Sequence, residues 1–276
     1  MHRIFVVGCS RAGTTVLQAR LAASLGLVTL PETGFFRGRL RTPALRHKRL
    51  RALNRALSQW TRTTDVTPGA GNLPGTASRL WAARSMQASA VHFRHALDRC
   101  AAACAAPGWV EKTPRHFREI PFIRRMVPGA RFVFIVRSGP DNVASIHDRA
   151  RRHPERFPRQ QDPCYGVELW NESIRAARQE AAAKDLALVG FEDFTADPDR
   201  CVAAIRAHIL PGLPPAAGDA SRSGATHVAG DEPWKSGSDD PIAPQPSKWD
   251  RVFTPEEQTS IRAALDEAGY RQLPFL

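Results

Sequence analysis

The feature that most constrains the fold is the glycine-rich segment GCSRAGTT at residues 8–15, which directly follows the apolar run IFVV. A short apolar run bounded by turn residues is typical of a buried parallel strand. After the loop, Leu17, Leu21 and Leu25 recur at helical spacing, and Gly26 indicates a helix end. Strand, loop and helix in this order predict the beginning of a parallel sheet with right-handed crossovers.

Further short apolar runs predict the rest of this sheet. FVFIV at residues 132–136 is the clearest of them, and 27–30, 108–111 and 186–191 are weaker candidates. The chain length suits one large core. The predicted fold class is therefore α/β, with a P-loop-like, mainly parallel sheet flanked by helices, and with a single domain over residues 1–276.

One segment after the second strand does not fit a strand pattern. Residues 37–107 predict a mostly helical insertion, and its stretch 44–57 is strongly basic. Leu50, Leu53 and Leu57 form an apolar stripe beneath that charge. This stretch is predicted to be a helix with one buried face and one charged face.

A second irregular segment lies near the carboxyl end. Residues 211–247 are rich in Pro, Gly, Ser and Asp, which predicts a flexible lid or loop. Beyond it, Thr254 and Glu257 have capping-box spacing around Pro255. A terminal helix over 255–268 is therefore expected.

The net charge and the distribution of apolar residues indicate which partners and which cellular compartment to expect. The net charge of +12 favours anionic partners. No apolar run approaches the roughly 18 residues that a membrane span needs, and the first residues do not match a signal peptide. We therefore expect a cytoplasmic protein that does not cross a membrane.

The loop at 8–15 carries the groups that an anion site needs. Gly8 and Gly13 stand at the GxxxxG spacing, and a loop between a strand and a helix directs backbone N–H groups and the helix dipole toward one point. Thr14 and Thr15 add hydroxyl donors, and Arg11 adds a cation. The segment predicts a phosphate or sulfate site.

Two positions argue against a magnesium-dependent kinase. Thr14 stands where a P-loop kinase has lysine, and Arg137 follows the strand FVFIV where an aspartate would hold Mg²⁺. These residues predict a doubly anionic nucleotide and no metal. A nucleotide-dependent kinase stays open as an alternative, as does a non-enzymatic protein that binds anions or nucleic acid. No nucleic-acid motif with interleaved aromatic residues is present, so nucleic-acid binding is not expected.

At these residues the chain resembles sulfotransferases that use 3′-phosphoadenosine-5′-phosphosulfate (PAPS). GCSRAGTT is similar to the 5′-phosphosulfate loop of that family, and FVFIVRSGPDNVASI resembles its 3′-phosphate motif. LPETGFF, WVEKTPRH, FEDFTADPDR and SKW resemble bacterial members that are closer to the protein-tyrosine and heparan branch than to the cytosolic branch. The resemblance implies cofactor-binding roles for Arg11, Ala12, Gly13, Thr14, Thr15, Arg137 and Ser145.

The resemblance also implies an activity. A sulfuryl group would pass from PAPS to a hydroxyl or amine without a metal, leaving 3′,5′-ADP. Glu32 is the implied general base, Lys112 the group that stabilises the leaving oxygen, and Arg11 the loop cation in place of the family's usual lysine. His116 and His147 remain rival bases.

The acceptor side is predicted more coarsely. Ser247 and Lys248 are expected to close over the nucleotide, and the insertion at 37–107 is expected to border the acceptor. The acceptor is expected to be a small molecule, a carbohydrate or a lipid, and anionic acceptors are among the candidates. Residues 44–57 either steer that acceptor, contact a membrane surface, or form an ordinary solvated face.

Overall fold

The computed structural model describes residues 1–64, 83–215, 242 and 246–276. Most of the predicted lid at 211–247, and the stretch 65–82 of the predicted insertion, lie outside the described residues.

The core of the molecule is one sheet in which every described pairing is parallel. Its strand order is β2-β3-β1-β4-β5. The strands are β1 (His2–Gly8), β2 (Val28–Thr29), β3 (Gly108–Lys112), β4 (Ala130–Val136) and β5 (Leu186–Gly190). The five predicted apolar runs are therefore all strands, and the α/β prediction is confirmed.

Helices connect and flank these strands. The described α-helices are α1 (Thr14–Leu25), α2 (Pro43–Thr64), α3 (Met86–Ala103), α4 (Ile120–Met126), α5 (Gly139–Arg152), α6 (Pro163–Glu180), α7 (Phe191–Ala196), α8 (Pro198–Ile209), α9 (Trp249–Val252), α10 (Pro255–Ala264) and α11 (Glu267–Arg271). Two 3₁₀ helices span Pro114–Glu119 and Pro158–Gln161. No helix of the described residues is long and apolar enough to cross a membrane.

The first βα unit forms for the reasons that its sequence indicates. The apolar residues of β1 are fully buried, and α1 buries Leu17, Leu21 and Leu25. Gly26 ends α1 in the left-handed conformation, and its N–H donates to the Ala22 carbonyl. The order β3-β1-β4 then places the loop after β1 in the middle of the carboxyl edge of the sheet, where such folds bind ligands.

The predicted basic helix is present as α2 and extends to Thr64. Its stripe of Leu50, Leu53 and Leu57 is buried, as expected. Arg46, however, is also buried, and its guanidinium donates to the carbonyl oxygens of Leu40 and Ala83 at 3.1 and 2.7 Å. The charge of this helix is therefore not all on its surface.

The prediction of one terminal helix over 255–268 was wrong. The capping box of Thr254 and Glu257 is present, but α10 ends at Ala264 and α11 begins at Glu267. Leu265 adopts an extended conformation and is buried, and the Asp266 side chain accepts a hydrogen bond from the N–H of Gly269 to begin the next turn. The break falls at Leu265, which leaves the helical conformation, and at Asp266, which caps a new helix.

Candidate functional site

The loop after β1 is shaped by the close approach of one glycine to strand β4 and of the other to the first residue of α7. Gly8 has φ 151°, and a Cβ there would lie 2.3 Å from the carbonyl oxygen of Ile135 in β4. Gly13 has φ 91°, and a Cβ there would lie 2.4 Å from the ring of Phe191. Neither position has room for a side chain, so glycine is required at both.

This loop leads into α1 in a way that favours an anion. Gly13 is the N-cap residue and has no side chain that could accept from the first-turn N–H groups. Those donors and the positive end of the helix dipole point at the loop. Thr14 is nearly buried and Thr15 half-buried, while Ala12 is fully buried and can offer only its backbone.

Three of the predicted cofactor residues converge beside this loop. Arg11 is in the left-handed conformation, with φ 73°, and its Nε donates to the Ser145 hydroxyl at 3.4 Å. Burial and the nearby charge of Arg137 lower the pKa of Arg11. Arg11 of the loop and Arg137, which follows β4, are therefore neighbours in space. Ser145 of α5 contacts Arg11.

Arg137 is held in place without using all of its donors. Its guanidinium lies 4.6 Å from the centre of the Phe191 ring, and its Nε is buried with no hydrogen-bond partner among the described residues. Burial lowers the pKa of Arg137. A buried guanidinium with an unused donor beside a second guanidinium is suited to an oxyanion.

The predicted closing residues dock on α5. The Ser247 hydroxyl donates to Asp141 at 2.5 Å, and Lys248 Nζ donates to Asp148 at 2.8 Å. Asp148 is nearly buried, and it also pairs with Arg152 and Arg251. The structure thus places this segment against the helix that carries Ser145, and it directs the Lys248 charge to a carboxylate.

The predicted catalytic pair lies at the neighbouring strand ends. Lys112 ends β3, Glu32 follows the adjacent strand β2, and their Nζ and Oε2 atoms are 3.2 Å apart. The Lys112 side chain is only 4% exposed, whereas the Glu32 side chain is 32% exposed. Gln18 of α1 ties the two strand ends together by donating to the carbonyl oxygens of Leu30 and Val110.

A buried network beneath this pair was missed by the sequence analysis. The Glu111 carboxylate is fully buried and accepts from the hydroxyls of Thr33 and Thr113, both at 2.7 Å, and it contacts His116 Nδ1 at 3.2 Å. Burial alone would raise the pKa of Glu111, but His116 and the two hydroxyls outweigh burial and lower that pKa. An acid inside an apolar strand, followed by threonine and histidine, was the available signal.

This network also fixes the chain that follows Glu32. The N–H of Gly34 donates to Thr113 Oγ1 at 3.0 Å, and the N–H of Phe36 donates to His116 Nε2 at 3.1 Å. His116 Nε2 is therefore an acceptor, and its Nδ1 carries the proton that faces Glu111. Both nitrogens of His116 are committed to structure.

The second rival base is placed differently. His147 lies on α5 with its ring centre 5.0 Å from that of Phe253, and burial lowers its pKa. It is thus on the helix of Ser145 and packs toward the carboxyl-terminal segment, while Glu32 is held by the adjacent strands β2 and β3. Glu32 is the exposed base candidate beside Lys112.

The described residues contain no group of three or more His, Cys, Asp and Glu side chains arranged to hold a metal ion.

Comparisons with known proteins agree with this architecture. The family model described as Sulfotransferase family matches residues 3–214. The sulfotransferase domain of the olefin synthase from Synechococcus PCC 7002 has TM-score 0.62 and 18% identity, covering 95% of this chain and 94% of that chain. The sulfotransferase domain from the curacin biosynthetic pathway has TM-score 0.58 and 16% identity, covering 95% and 96%. Sulfotransferase STF9 from Mycobacterium avium has TM-score 0.52 and 17% identity, covering 95% and 75%.

At these identities the solved structures establish the fold alone, whereas the family match extends from β1 to beyond α8. No curated protein matches the chain significantly. The family match includes the loop, both cation-bearing strand ends and the Glu32–Lys112 pair. This chain is therefore an enzyme of the sulfotransferase family.

Proposed function

We propose that the protein transfers a sulfuryl group from PAPS to a hydroxyl or amine of an acceptor. The observation that carries this proposal is the meeting of two cation sites at one sheet edge. Arg11 and the N–H groups of the glycine loop form one site, and Arg137 with Ser145 forms the other beside it, while Lys112 lies with Glu32 at the neighbouring strand ends. A nucleotide with two separate anionic groups suits such a pair of sites.

The nucleotide-binding roles follow from the chemistry of each group. The loop N–H groups, Thr14, Thr15 and Arg11 would hold the 5′-phosphosulfate. Arg137 and Ser145 would hold the 3′-phosphate, because Arg137 has an unused Nε donor and Ser145 offers a hydroxyl next to the loop residue Arg11. Bound PAPS supplies an activated sulfuryl group, and the residues around it supply orientation and charge.

The catalytic roles are assigned to the pair at the strand ends. In the transfer a bond forms between sulfur and the acceptor atom, and the bond from sulfur to the bridging phosphate oxygen breaks, leaving 3′,5′-ADP. Glu32 would take the acceptor's proton, and Lys112 would stabilise the negative charge that gathers on the bridging oxygen. Arg11 adds charge but keeps its own proton, since arginine stays protonated in proteins.

The ion pair between Glu32 and Lys112 has a consequence for the base. A cation 3.2 Å away stabilises the carboxylate and makes it a weaker proton acceptor. That is acceptable if the transition state is loose, by analogy with phosphoryl transfer, because orientation then matters more than basicity.

The acceptor side would be formed by the insertion at 37–107 within a single domain. Its helices α2 and α3 pack against each other, and α3 packs on β3, the strand that ends at Lys112. Ser247 and Lys248 would flank the nucleotide through their contacts with α5. Contact of the 44–57 face with a membrane surface is an alternative use of its exposed arginines.

Titration calorimetry on the wild-type protein tests the proposed function. We expect 3′,5′-ADP to bind in the presence of EDTA, and 5′-AMP, which lacks the 3′-phosphate, to bind at least tenfold more weakly. A preference for Mg-ATP would instead support a kinase. The absence of binding by any nucleotide would support an anion-binding protein without transferase activity.

A further inference from the structure

Three arginines that neither the nucleotide nor the catalytic roles use lie together near Glu32. Arg37 follows β2 in the chain that carries Glu32, Arg49 lies on α2, and Arg115 lies in the 3₁₀ helix Pro114–Glu119. We call Arg37, Arg49 and Arg115 the arginine cluster. Its members come from three different elements, so their proximity is a product of the fold.

The cluster sits on the backbone that also holds the catalytic pair. Arg49 Nε donates to the carbonyl oxygen of Arg37 at 3.2 Å. A Cβ at Gly34 would lie 3.5 Å from Arg37 Cδ and 3.7 Å from Arg49 Nη1, so both side chains cover that glycine. The N–H of Gly34 donates to Thr113, the residue after Lys112. Arg37 and Arg49 are thereby fixed against a glycine that lies two residues after Glu32.

Arg115 extends the cluster toward the nucleotide loop. The charge of Arg37 acts on Arg115, and the Arg115 guanidinium also interacts with the buried thiol of Cys9, the second residue of the loop. Its guanidinium carbon lies 5.6 Å from the centre of the Tyr165 ring. The cluster thus spans the space between the glycine loop and the Glu32 side of the site.

The positive charge of the cluster is not balanced by carboxylates in direct contact. In the described part of the chain, no salt bridge joins Arg37, Arg49 or Arg115 to an acid, whereas nearby Arg39 pairs with Glu119 and Arg118 pairs with Glu172. Burial and the charge of Arg37 lower the pKa of Arg49. Burial, then Arg118 and Arg37, lower the pKa of Arg115, and these effects outweigh the opposing effects of Cys9 and of Glu172, which pairs with Arg118. Arg49 and Arg115 are half-buried and Arg37 is exposed, and the mutual repulsion of such neighbouring cations is relieved when an anion binds between them.

We propose that the arginine cluster binds an anionic group of the acceptor, namely a carboxylate, a sulfate or a phosphate ester. It would select acceptors whose negative charge lies close to the atom that receives the sulfuryl group. Guanidinium groups suit this role because each can donate two parallel hydrogen bonds to such an oxyanion. The inference rests on the proposed function for the place of the acceptor, beside Glu32.

Inorganic sulfate is the probe for this site. Titrations are done with saturating 3′,5′-ADP, so that the nucleotide phosphates fill their own sites, and at ionic strength held constant with chloride. Arg49→Gln and Arg37→Gln are each expected to weaken sulfate binding by about tenfold, because a charge-assisted hydrogen bond is lost. The matched control is Arg51→Gln, which removes the same charge from an exposed position of α2 and should change binding by less than about twofold.

The outcomes separate this inference from the proposed function. If wild type binds 3′,5′-ADP but Arg49→Gln and Arg51→Gln bind sulfate equally well, the cluster is not the anion site and the inference is overturned. Failure of the wild-type complex to bind sulfate would overturn it as well. If 3′,5′-ADP itself fails to bind, the proposed function fails, and the acceptor role of the cluster falls with it.

A second variant guards against a folding defect in Arg49→Gln. Arg49→Lys keeps the charge and loses the planar pair of donors, so we expect sulfate affinity between those of wild type and Arg49→Gln. Each variant should retain the wild-type affinity for 3′,5′-ADP, which shows that the glycine loop is intact. Equal sulfate affinity of the lysine and glutamine variants, both unchanged from wild type, would also exclude the cluster.

Discussion

The nucleotide end and the acceptor end of the site are held together in different ways. At the nucleotide end, backbone geometry does most of the positioning, since Gly8 and Gly13 approach β4 and Phe191 too closely for any side chain. At the acceptor end, a buried side-chain network centred on Glu111 fixes the chain around Glu32 and Lys112. The first arrangement leaves a pattern of small residues in the sequence, and the second depends on residues far apart in the chain.

The two ends also differ in how their charges are balanced. Arg11 and Arg137 repel each other beside a hydroxyl, whereas Lys112 already has a carboxylate partner in Glu32. Substitutions at the nucleotide end should therefore change ligand affinity. Substitutions at the acceptor end should change turnover or stability and leave nucleotide affinity unchanged.

The largest expected effect is on turnover. Glu32→Gln removes the proposed base without changing its size, so kcat should fall by about 10³-fold, within the range known for general bases. Affinity for 3′,5′-ADP by calorimetry should stay within about twofold of wild type, because Glu32 is not at the nucleotide end. Sulfate transfer from PAPS, measured as 3′,5′-ADP release, is the assay.

Retention of wild-type kcat by Glu32→Gln would remove Glu32 as the base. In that case His147→Gln would be the next variant to assay, since His116 has both nitrogens engaged in the buried network.

The next effect concerns the buried network. Glu111→Gln places an amide NH₂ against the proton on His116 Nδ1, so one buried donor loses its acceptor. We expect the free energy of unfolding at pH 7 to fall by about 2 kcal/mol, the size found when a buried donor is left without its acceptor. Urea unfolding followed by circular dichroism measures it, with the exposed Glu155→Gln as the control.

The same network predicts a dependence on pH. The pKa of Glu111 is lower in the folded protein than its ordinary value of 4.5, so its contribution to stability is fully present above pH 4.5 and is lost as pH falls through the folded pKa. The difference in unfolding free energy between wild type and Glu111→Gln should therefore shrink only below about pH 4.5. A constant difference down to pH 3 would contradict this assignment.

The next effect is a loss of nucleotide affinity at the nucleotide end. Arg137→Ala should weaken 3′,5′-ADP binding by about 30-fold, because charge-assisted hydrogen bonds to a phosphate are lost. Binding of 5′-AMP should change by less than about threefold, since that ligand lacks the phosphate in question. Equal losses for the two ligands would place Arg137 elsewhere in the nucleotide site, and Arg159→Ala is an exposed arginine control.

The smallest expected effect is at the carboxyl-terminal segment. Lys248→Ala removes one of three cations around Asp148, and Arg152 and Arg251 remain. Because the lysine is about a third exposed, solvent screens its charge, and we expect 3′,5′-ADP affinity to fall by less than about fivefold. A loss as large as that of Arg137→Ala would mean that Lys248 leaves Asp148 to contact the nucleotide.

The sequence predicted those parts of the molecule that depend on neighbouring residues. The βα unit around the glycine loop, the apolar strands and the buried stripe of α2 all follow from local spacing and are present. Glu32 and Lys112 each follow a predicted strand, so their placement at the carboxyl edge of the sheet follows from the sequence. Their contact at 3.2 Å depends on the β2–β3 pairing, which no local pattern specifies.

Features that depend on tertiary contacts were not predicted. Arg46 looked like one more surface cation, but it caps carbonyl groups inside the fold. The terminal helix is interrupted at Leu265, which is extended and packs against the start of α5 at Gly139. No sequence pattern indicated the arginine cluster. Arg37 and Arg49 lie in a stretch with many arginines, and only the fold distinguishes Arg49, which contacts Arg37, from the exposed Arg51.

Phe191 links two parts of the nucleotide end that the sequence keeps far apart. Its ring fills the space where Gly13 would carry a side chain, and the same ring supports the guanidinium of Arg137. Substitutions at these positions should therefore be coupled: alanine at Gly13 would need a smaller residue at Phe191, and that smaller residue would loosen Arg137. In directed evolution, Gly13 could change only if the contact of Arg137 with the 3′-phosphate were weakened. Gly13, Arg137 and Phe191 should therefore be randomised together.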